Sequence, residues 1–254
     1  MHSAYVEIFR IRGYETGPDD ILPVQNLCAY MEEAAALHAA QLGVGMEDLQ
    51  GRGLAWALTR MRVELHELPR ARLSGASRPD NAIMVKTWPV SVEGLQFRRD
   101  FLICGGGEIL ARAATDWVVL NLETRRVERI PGFIGRLRPE SPEYAMPAEK
   151  LRLPGQGESG VLGRFAVRRA DIDRNRHVNN RNYLEWILEA TPAEICDERR
   201  PRKIELMFRA EAVYGDSVLA RGSLPGGGVC LYGLFRETDG RELARARILW
   251  ESSP

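Results

Sequence analysis

No apolar run in this chain approaches the roughly 20 residues that a membrane-spanning helix requires. The N-terminus carries Glu7, Arg10 and Arg12 where a secretory signal would be apolar, so the cytoplasm is the expected compartment and membrane insertion is not expected. Cysteine is sparse and scattered: Cys28, Cys104, Cys196 and Cys230 form no C-x-x-C pair. They read as buried thiols in a reducing environment, not as a zinc or redox centre. Net charge is also missing, with 35 basic against 35 acidic residues, so no overall field attracts nucleic acid or an anionic membrane. Lysine is almost absent; Lys86, Lys150 and Lys203 are the only three, which reflects an arginine-rich composition more than a binding surface. A Walker loop, a serine nucleophile elbow and a paired-histidine helix are all lacking, and neither a metal nor a cofactor is expected.

What is present is a packed, duplicated chain. Its 254 residues are enough for roughly two small domains. A hydrophobic content of 44% with 28% charged residues supports a core and argues against disorder. Residues 171–186 have a degraded echo 153 positions earlier: Asp173 falls on Asp20, Asn179 on Asn26, Tyr183 on Tyr30 and Glu185 on Glu32. On that alignment Asn175 falls on Leu22 and His177 on Val24, so polar residues in one copy face aliphatics in the other. A second echo, at an offset of 133, pairs Gly107, Leu110, Ala111, Arg112, Ala113 and Trp117 with Gly240, Leu243, Ala244, Arg245, Ala246 and Trp250. Two matches in the same order indicate a duplicated domain in which one copy kept its reactive side chains.

Periodicity gives each copy the same plan. Residues 4–15 alternate as a strand, and apolar residues at helical spacing predict a helix over about 22–42, with Pro23 at its start and Gly43 past its end. Strands are predicted at 54–66, 82–92, 95–104 and 108–122, separated by Pro79-Asp80-Asn81, Glu93-Gly94 and Gly105-Gly106-Gly107. Residues 131–160, rich in proline and glycine, read as a linker. A strand at about 161–169, a helix at about 177–191 and strands at 202–213, 216–224, 228–237 and 242–251 follow. The predicted class is α+β, an antiparallel sheet with one helix packed on it, repeated.

The candidate site is the run 171–183. Asp171, Asp173 and Asn175 imitate the start of a calcium-binding loop, but Arg176 and Asn182 stand where that loop needs glycine and glutamate. The pattern Gly155-x-Gly157-x-x-Gly160 follows a proline-rich stretch and precedes a strand, the wrong context for a dinucleotide. Helix capping is the modest role open to Asp173 and Asn175, worth about 1 kcal/mol.

The run Asp173-x-Asn175-x-His177-Val-Asn-Asn-x-x-Tyr183 resembles the active-site segment of acyl-acyl carrier protein thioesterases, which are tandem hotdog proteins. The resemblance extends through Arg12-Gly-Tyr-Glu15, Trp56-Ala-Leu-Thr-Arg-Met61, Arg98-Arg-Asp100, Trp117 with Asn121, Thr124-Arg-Arg126 and Trp186-Ile-Leu-Glu189. The family's further carboxylate is matched by Glu211. One position departs: plant members carry a cysteine after that glutamate, and here it is Ala212.

The resemblance implies two hotdog domains: 1–130, enclosing the acyl chain with its catalytic residues lost, and 161–254, catalytic, joined by 131–160. It implies a hydrolase that releases free fatty acid from the acyl carrier protein, with Asp173, Asn175, His177 and Glu211 as catalytic residues. Asp173 would act at the carbonyl, either as a nucleophile or as the base for water; Asn175 and His177 would hold it, and Glu211 would position water. The residues leave both routes open. A helix starting between Asn175 and Asn179 would aim its free N–H groups and dipole at the reacting carbonyl. Leu27, Met31, Trp56 and Leu58 are candidates for the acyl tunnel. Arg168 with Arg169, or Arg199, Arg200, Arg202 and Lys203, are candidates for receiving the acidic carrier. The alternatives are a coenzyme A thioesterase or dehydratase of the same fold, and a non-catalytic acyl-binding protein. Either a monomer or a homodimer is compatible with two hotdogs in one chain.

Overall fold

The computed structural model describes residues 4–17, 19–71, 82–149, 152–156 and 159–252. The chain forms two compact units, residues 1–59 with 63–149, and residues 60–62 with 150–254. The turn expected at Pro79-Asp80-Asn81 lies outside the described residues.

In the first unit, β1 (Tyr5–Arg10) leads through a 3-10 turn at Gly13–Glu15 to α1 (Val24–Gln41) and α2 (Met46–Gln50). Strands β2 (Leu54–Leu65), β3 (Ala82–Glu93), β4 (Gln96–Gly105), β5 (Glu108–Asn121) and β6 (Val127–Glu128) follow, then the short α3 (Gly132–Gly135). The sheet runs β1-β3-β4-β5-β2 with β6 beside β5, and α1 packs on β1 and β3. Strand β1 alternates as expected, with Tyr5, Glu7 and Phe9 half-buried and Val6 and Ile8 exposed. Phe9 stacks on Tyr30 of α1 with ring centroids 4.4 Å apart. Gly43 ends α1 with φ at +68°, the left-handed region that glycine enters without a Cβ penalty.

The second unit has β7 (Gly160–Ala166), a 3-10 turn at Arg169–Asp171, α4 (Asn180–Glu189), α5 (Ala193–Glu198), β8 (Arg199–Phe208), β9 (Ser217–Gly226), β10 (Val229–Arg236) and β11 (Glu242–Ser252). Its sheet order is β8-β11-β10-β9-β7. Tyr183, Leu184, Trp186 and Ile187 form the buried face of α4, which packs on β10. Each unit is thus helix on antiparallel sheet, the α+β hotdog arrangement the sequence led us to expect. The helix expected over 177–191 is α4, two to three residues shorter at each end, and the short α5 beyond it was not expected. Pro192 has no N–H with which to continue α4, and the Thr191 hydroxyl donates to the Ile187 carbonyl at 2.9 Å. The proline-rich segment 131–149 is not a free linker. Ile134 and Leu137 join the core of the first unit with Val44, Leu49, Phe97 and Val119, and Arg98 donates to the Met146 carbonyl at 2.7 Å.

The internal geometry of the units corrects the register of the repeat. In the first, the Gly17 N–H donates to the Ile21 carbonyl and the Asp20 N–H to that of Gly17; in the second, Asp173 N–H donates to His177 and Arg176 N–H to Asp173. Asp20 and Arg176, with φ of 59° and 64°, are two of three non-glycine residues in the left-handed region among those described. The Asn26 and Asn182 amides donate to the carbonyls of Glu15 and Asp171 at 2.8 and 3.0 Å. The Arg12 and Arg168 N–H groups donate to the side chains of Glu15 and Asp171 at 2.8 and 2.7 Å. Every one of these pairs is 156 positions apart, not 153. The second echo stands at 133: the Leu110 carbonyl accepts from His66 and Glu67 just as Leu243 accepts from Arg209 and Ala210.

Candidate active site

Asp173, Asn175, His177 and Glu211 come together in the second unit, the first three on a loop after the 3-10 turn at Arg169–Asp171, and Glu211 on the segment that follows β8, which ends at Phe208 and not at the expected 213. Val178 N–H donates to the Ala212 carbonyl at 2.9 Å, and Ile172 bridges Val178, so residues 173–177 project as a closed loop beside Glu211. Asp173 Oδ1 accepts the Asn175 N–H at 2.7 Å and that of His177 at 3.4 Å. Its Oδ2 lies 3.4 Å from Asn175 Nδ2. His177 Nε2 sits 3.3 Å from Glu211 Oε2, and both side chains are partly open to solvent, at 28% and 41%. The loop is closed by Arg176, a bulky side chain held in a conformation that glycine, asparagine and aspartate adopt more easily.

Helix α4 contributes differently from the expectation. Asn179 is its N-cap, and its side chain accepts the Arg181 N–H at 2.9 Å. Asn179 N–H donates to the Asp171 carbonyl and Asn182 N–H to the Asn179 carbonyl. The backbone donors that meet Asp173 therefore come from the loop and not from the helix terminus. Asn179 takes the Arg181 N–H with its side chain and the Asn182 N–H with its carbonyl.

A supporting ring of residues was not evident from the motif. Tyr183 Oη accepts the Ala212 N–H at 2.9 Å, and burial pushes the Tyr183 hydroxyl up to about 12, which keeps it protonated. Arg236 donates to the Glu211 carbonyl at 2.6 Å and to Asp216 at 3.1 Å, which fixes the backbone carrying Glu211. Burial by itself would raise the Asp171 carboxyl, but hydrogen bonds from Arg168 outweigh it and hold Asp171 below the usual carboxylate range. Tyr183 was visible as part of the motif, but nothing in the spacing of Arg236 or Asp216 marked them. Ala212, directly after Glu211, is wholly buried. Burial pushes all four thiols upward, with Cys28 the most enclosed. In the corrected register the first unit offers Gly17, Asp19 and Ile21 opposite Asp173, Asn175 and His177. The paired carbonyls of Pro69 and Ala212 place Leu68 opposite Glu211. Among the described residues, no group of three His, Cys, Asp or Glu could hold a metal.

The chain matches two family models: "Acyl-ACP thioesterase N-terminal domain" over residues 2–134 and "Acyl-ACP thioesterase C-terminal domain" over 157–252. It belongs to the acyl-ACP thioesterase family. It is 30% identical to "Oleoyl-acyl carrier protein thioesterase 2, chloroplastic" of Arabidopsis thaliana over 85% of this chain and 61% of that one. With "Palmitoyl-acyl carrier protein thioesterase, chloroplastic" of the same plant it shares 32% over 96% of this chain and 63% of the relative. The chain thus spans about three fifths of these relatives' length. The solved "12:0-ACP thioesterase from Umbellularia californica" superposes with a TM-score of 0.83 at 26% identity, covering 98% of each chain. No helix among the described residues is long and apolar enough to cross a membrane.

Proposed function

We propose that this acyl-ACP thioesterase family member hydrolyses fatty acyl thioesters of the acyl carrier protein and releases free fatty acid. The observation that carries this reading is the His177–Glu211 contact beside the closed Asp173 loop. An imidazole oriented by a carboxylate, next to a second carboxylate, suits proton transfer at a thioester whose thiolate is already a good leaving group. Asp173 is the group at the carbonyl. Its Oδ1 holds two N–H groups and its Oδ2 one hydrogen of the Asn175 amide, which leaves a lone pair on Oδ2 to take a proton from water as that water forms the new C–O bond; the C–S bond then breaks from the tetrahedral oxyanion. Glu211 and His177 position that water, and His177 carries the proton taken up by Asp173 on to the leaving thiolate. The second hydrogen of the Asn175 amide, on an exposed side chain, is the donor that holds the oxyanion.

The division of labour follows from the repeat. The second unit, 161–254, is the catalytic domain. The first, 1–130, presents Gly17, Ile21 and Leu68 where chemistry would need acids and an imidazole, and it encloses the acyl chain. Leu27 and Met31 of α1 and Leu58 of β2, all buried, are the candidates to line that enclosure. The cytoplasm is the compartment proposed. The test is incubation with one acyl group carried by the acyl carrier protein and by coenzyme A, reading free thiol and fatty acid mass. Faster release from the carrier protein is expected. Equal or preferential release from coenzyme A sinks the carrier reading, and no thiol release from either sinks the thioesterase reading.

A further inference from the structure

We infer that the loop carrying the site, residues 168–181, is also the docking surface for the acidic face of the carrier protein, through Arg169 and Arg176. The inference rests on the function proposed above and adds a location to it. It starts from the two copies of one backbone. Residues 168–181 hold five arginines and two aspartates, whereas their counterparts 12–25 hold one arginine and three acids. The hydrogen bonds and the left-handed residue are the same in both, so the fold does not require either charge. The positive sign appears only in the copy that has the carboxylates and imidazole.

Within this loop the arginines have different employment. Arg168 is bound to Asp171 at 2.7 Å and lies 3.7 Å from Glu185. Arg169 is exposed and lies over the ring of the exposed Tyr214, 4.4 Å from its centroid. Arg176 is exposed and adjacent to His177. Neither Arg169 nor Arg176 has an acidic partner among the described residues. A left-handed residue with a long side chain is uncommon, and such outliers point to a role for the side chain. Asp20 shows which residue the same backbone position accepts without one. The other basic cluster is engaged internally: Arg202 with Glu251 and Lys203 with Glu205, each at 3.7 Å, and Arg200 with the Cys196 carbonyl at 3.0 Å. Exposed, unpaired arginines at the rim of a site steer an oppositely charged partner and set its register.

The test uses apo acyl carrier protein, which lacks the phosphopantetheine arm, so that only its protein surface can bind. Binding to wild type is measured by titration calorimetry at low salt and again at about 0.5 M salt, where screening is strong. Arg176→Asp places at this position the residue its counterpart already has, so the backbone is not strained. Arg169→Gln provides a second, independent variant. Either substitution is expected to weaken binding about tenfold, and the salt dependence is expected to flatten. Unchanged affinity in both variants, or no salt-sensitive binding by wild type, overturns the docking surface. Hydrolysis of a small acyl thioester of N-acetylcysteamine by wild type is read separately. Its absence would count against the proposed reaction while leaving carrier binding to decide the docking question.

Discussion

At the residue scale, four side chains carry unequal tasks in the proposed reaction. Asp173→Ala removes the base and should lower kcat by about a thousandfold or more in a folded variant, a range typical of losing a principal catalytic group. His177→Ala should be nearly as severe. Asn175→Ala should cost less, because it removes a single oxyanion donor from an exposed position. Steady-state rates on one carrier thioester, with far-UV circular dichroism to confirm folding, order the three. The cysteines belong to the same scale. Each thiol is raised by burial, and the position after Glu211 is a buried alanine. A folded variant with all four cysteines replaced by alanine or serine should therefore retain turnover. Loss of chemistry that returns with one specific cysteine would contradict an oxygen-based site.

At the element scale, the sequence showed the number, type and order of the main strands and helices, and most predicted boundaries fall within two or three residues of those observed. Alternation in β1 and the helical spacing of Leu27, Tyr30, Met31 and Ala34 are local signals, and local signals survive in a single sequence. The repeat register was not legible in the same way. Four identities at an offset of 153 competed with Phe9/Phe165, Arg12/Arg168, Asn26/Asn182 and Glu33/Glu189 at 156. What distinguishes the second set is backbone conformation, above all the left-handed Asp20 and Arg176, whose side chains share nothing. The offset of 133 held because Gly107 and Gly240 are both required at positive φ, of 87° and 67°. Short elements such as α3 and β6 carry too few residues to show periodicity. Two predictions belong here. Gly228, with φ of 79°, would place a Cβ 2.3 Å from the Trp250 carbonyl oxygen, so Gly228→Ala should destabilise the second unit by about 2 kcal/mol or more. Urea unfolding measures this, and an unchanged midpoint would deny the close approach. The Asp171 carboxyl is lowered on folding, so its contribution is present above the ordinary aspartate range near pH 4 and is lost as pH falls through its folded value. Asp171→Asn should thus be less stable than wild type at pH 7, and the difference should shrink as the solution is acidified below about pH 4.

At the scale of the whole molecule, the repeat sets Asp173, His177 and Glu211 of one unit against Gly17, Ile21 and Leu68 of the other, and the chemistry is proposed for the first of these. The candidate site was largely legible because its polar residues lie within five positions and Glu211 follows on a neighbouring segment. Less legible was how the loop uses its own N–H groups, since a cap at Asn179 and a closed turn at Asp173 are three-dimensional outcomes of equally plausible hydrogen bonds. The arginine-rich composition reads as neutral over the full chain, and only alignment of the two loops shows its sign change. The measurement that tests the central claim most directly is single-turnover incubation of wild type and folded Asp173→Ala with a panel of acyl carrier protein thioesters, reading released fatty acids by mass. Wild type should release free fatty acid and Asp173→Ala should release almost none. Comparable release by both would contradict the placement of the chemistry at Asp173.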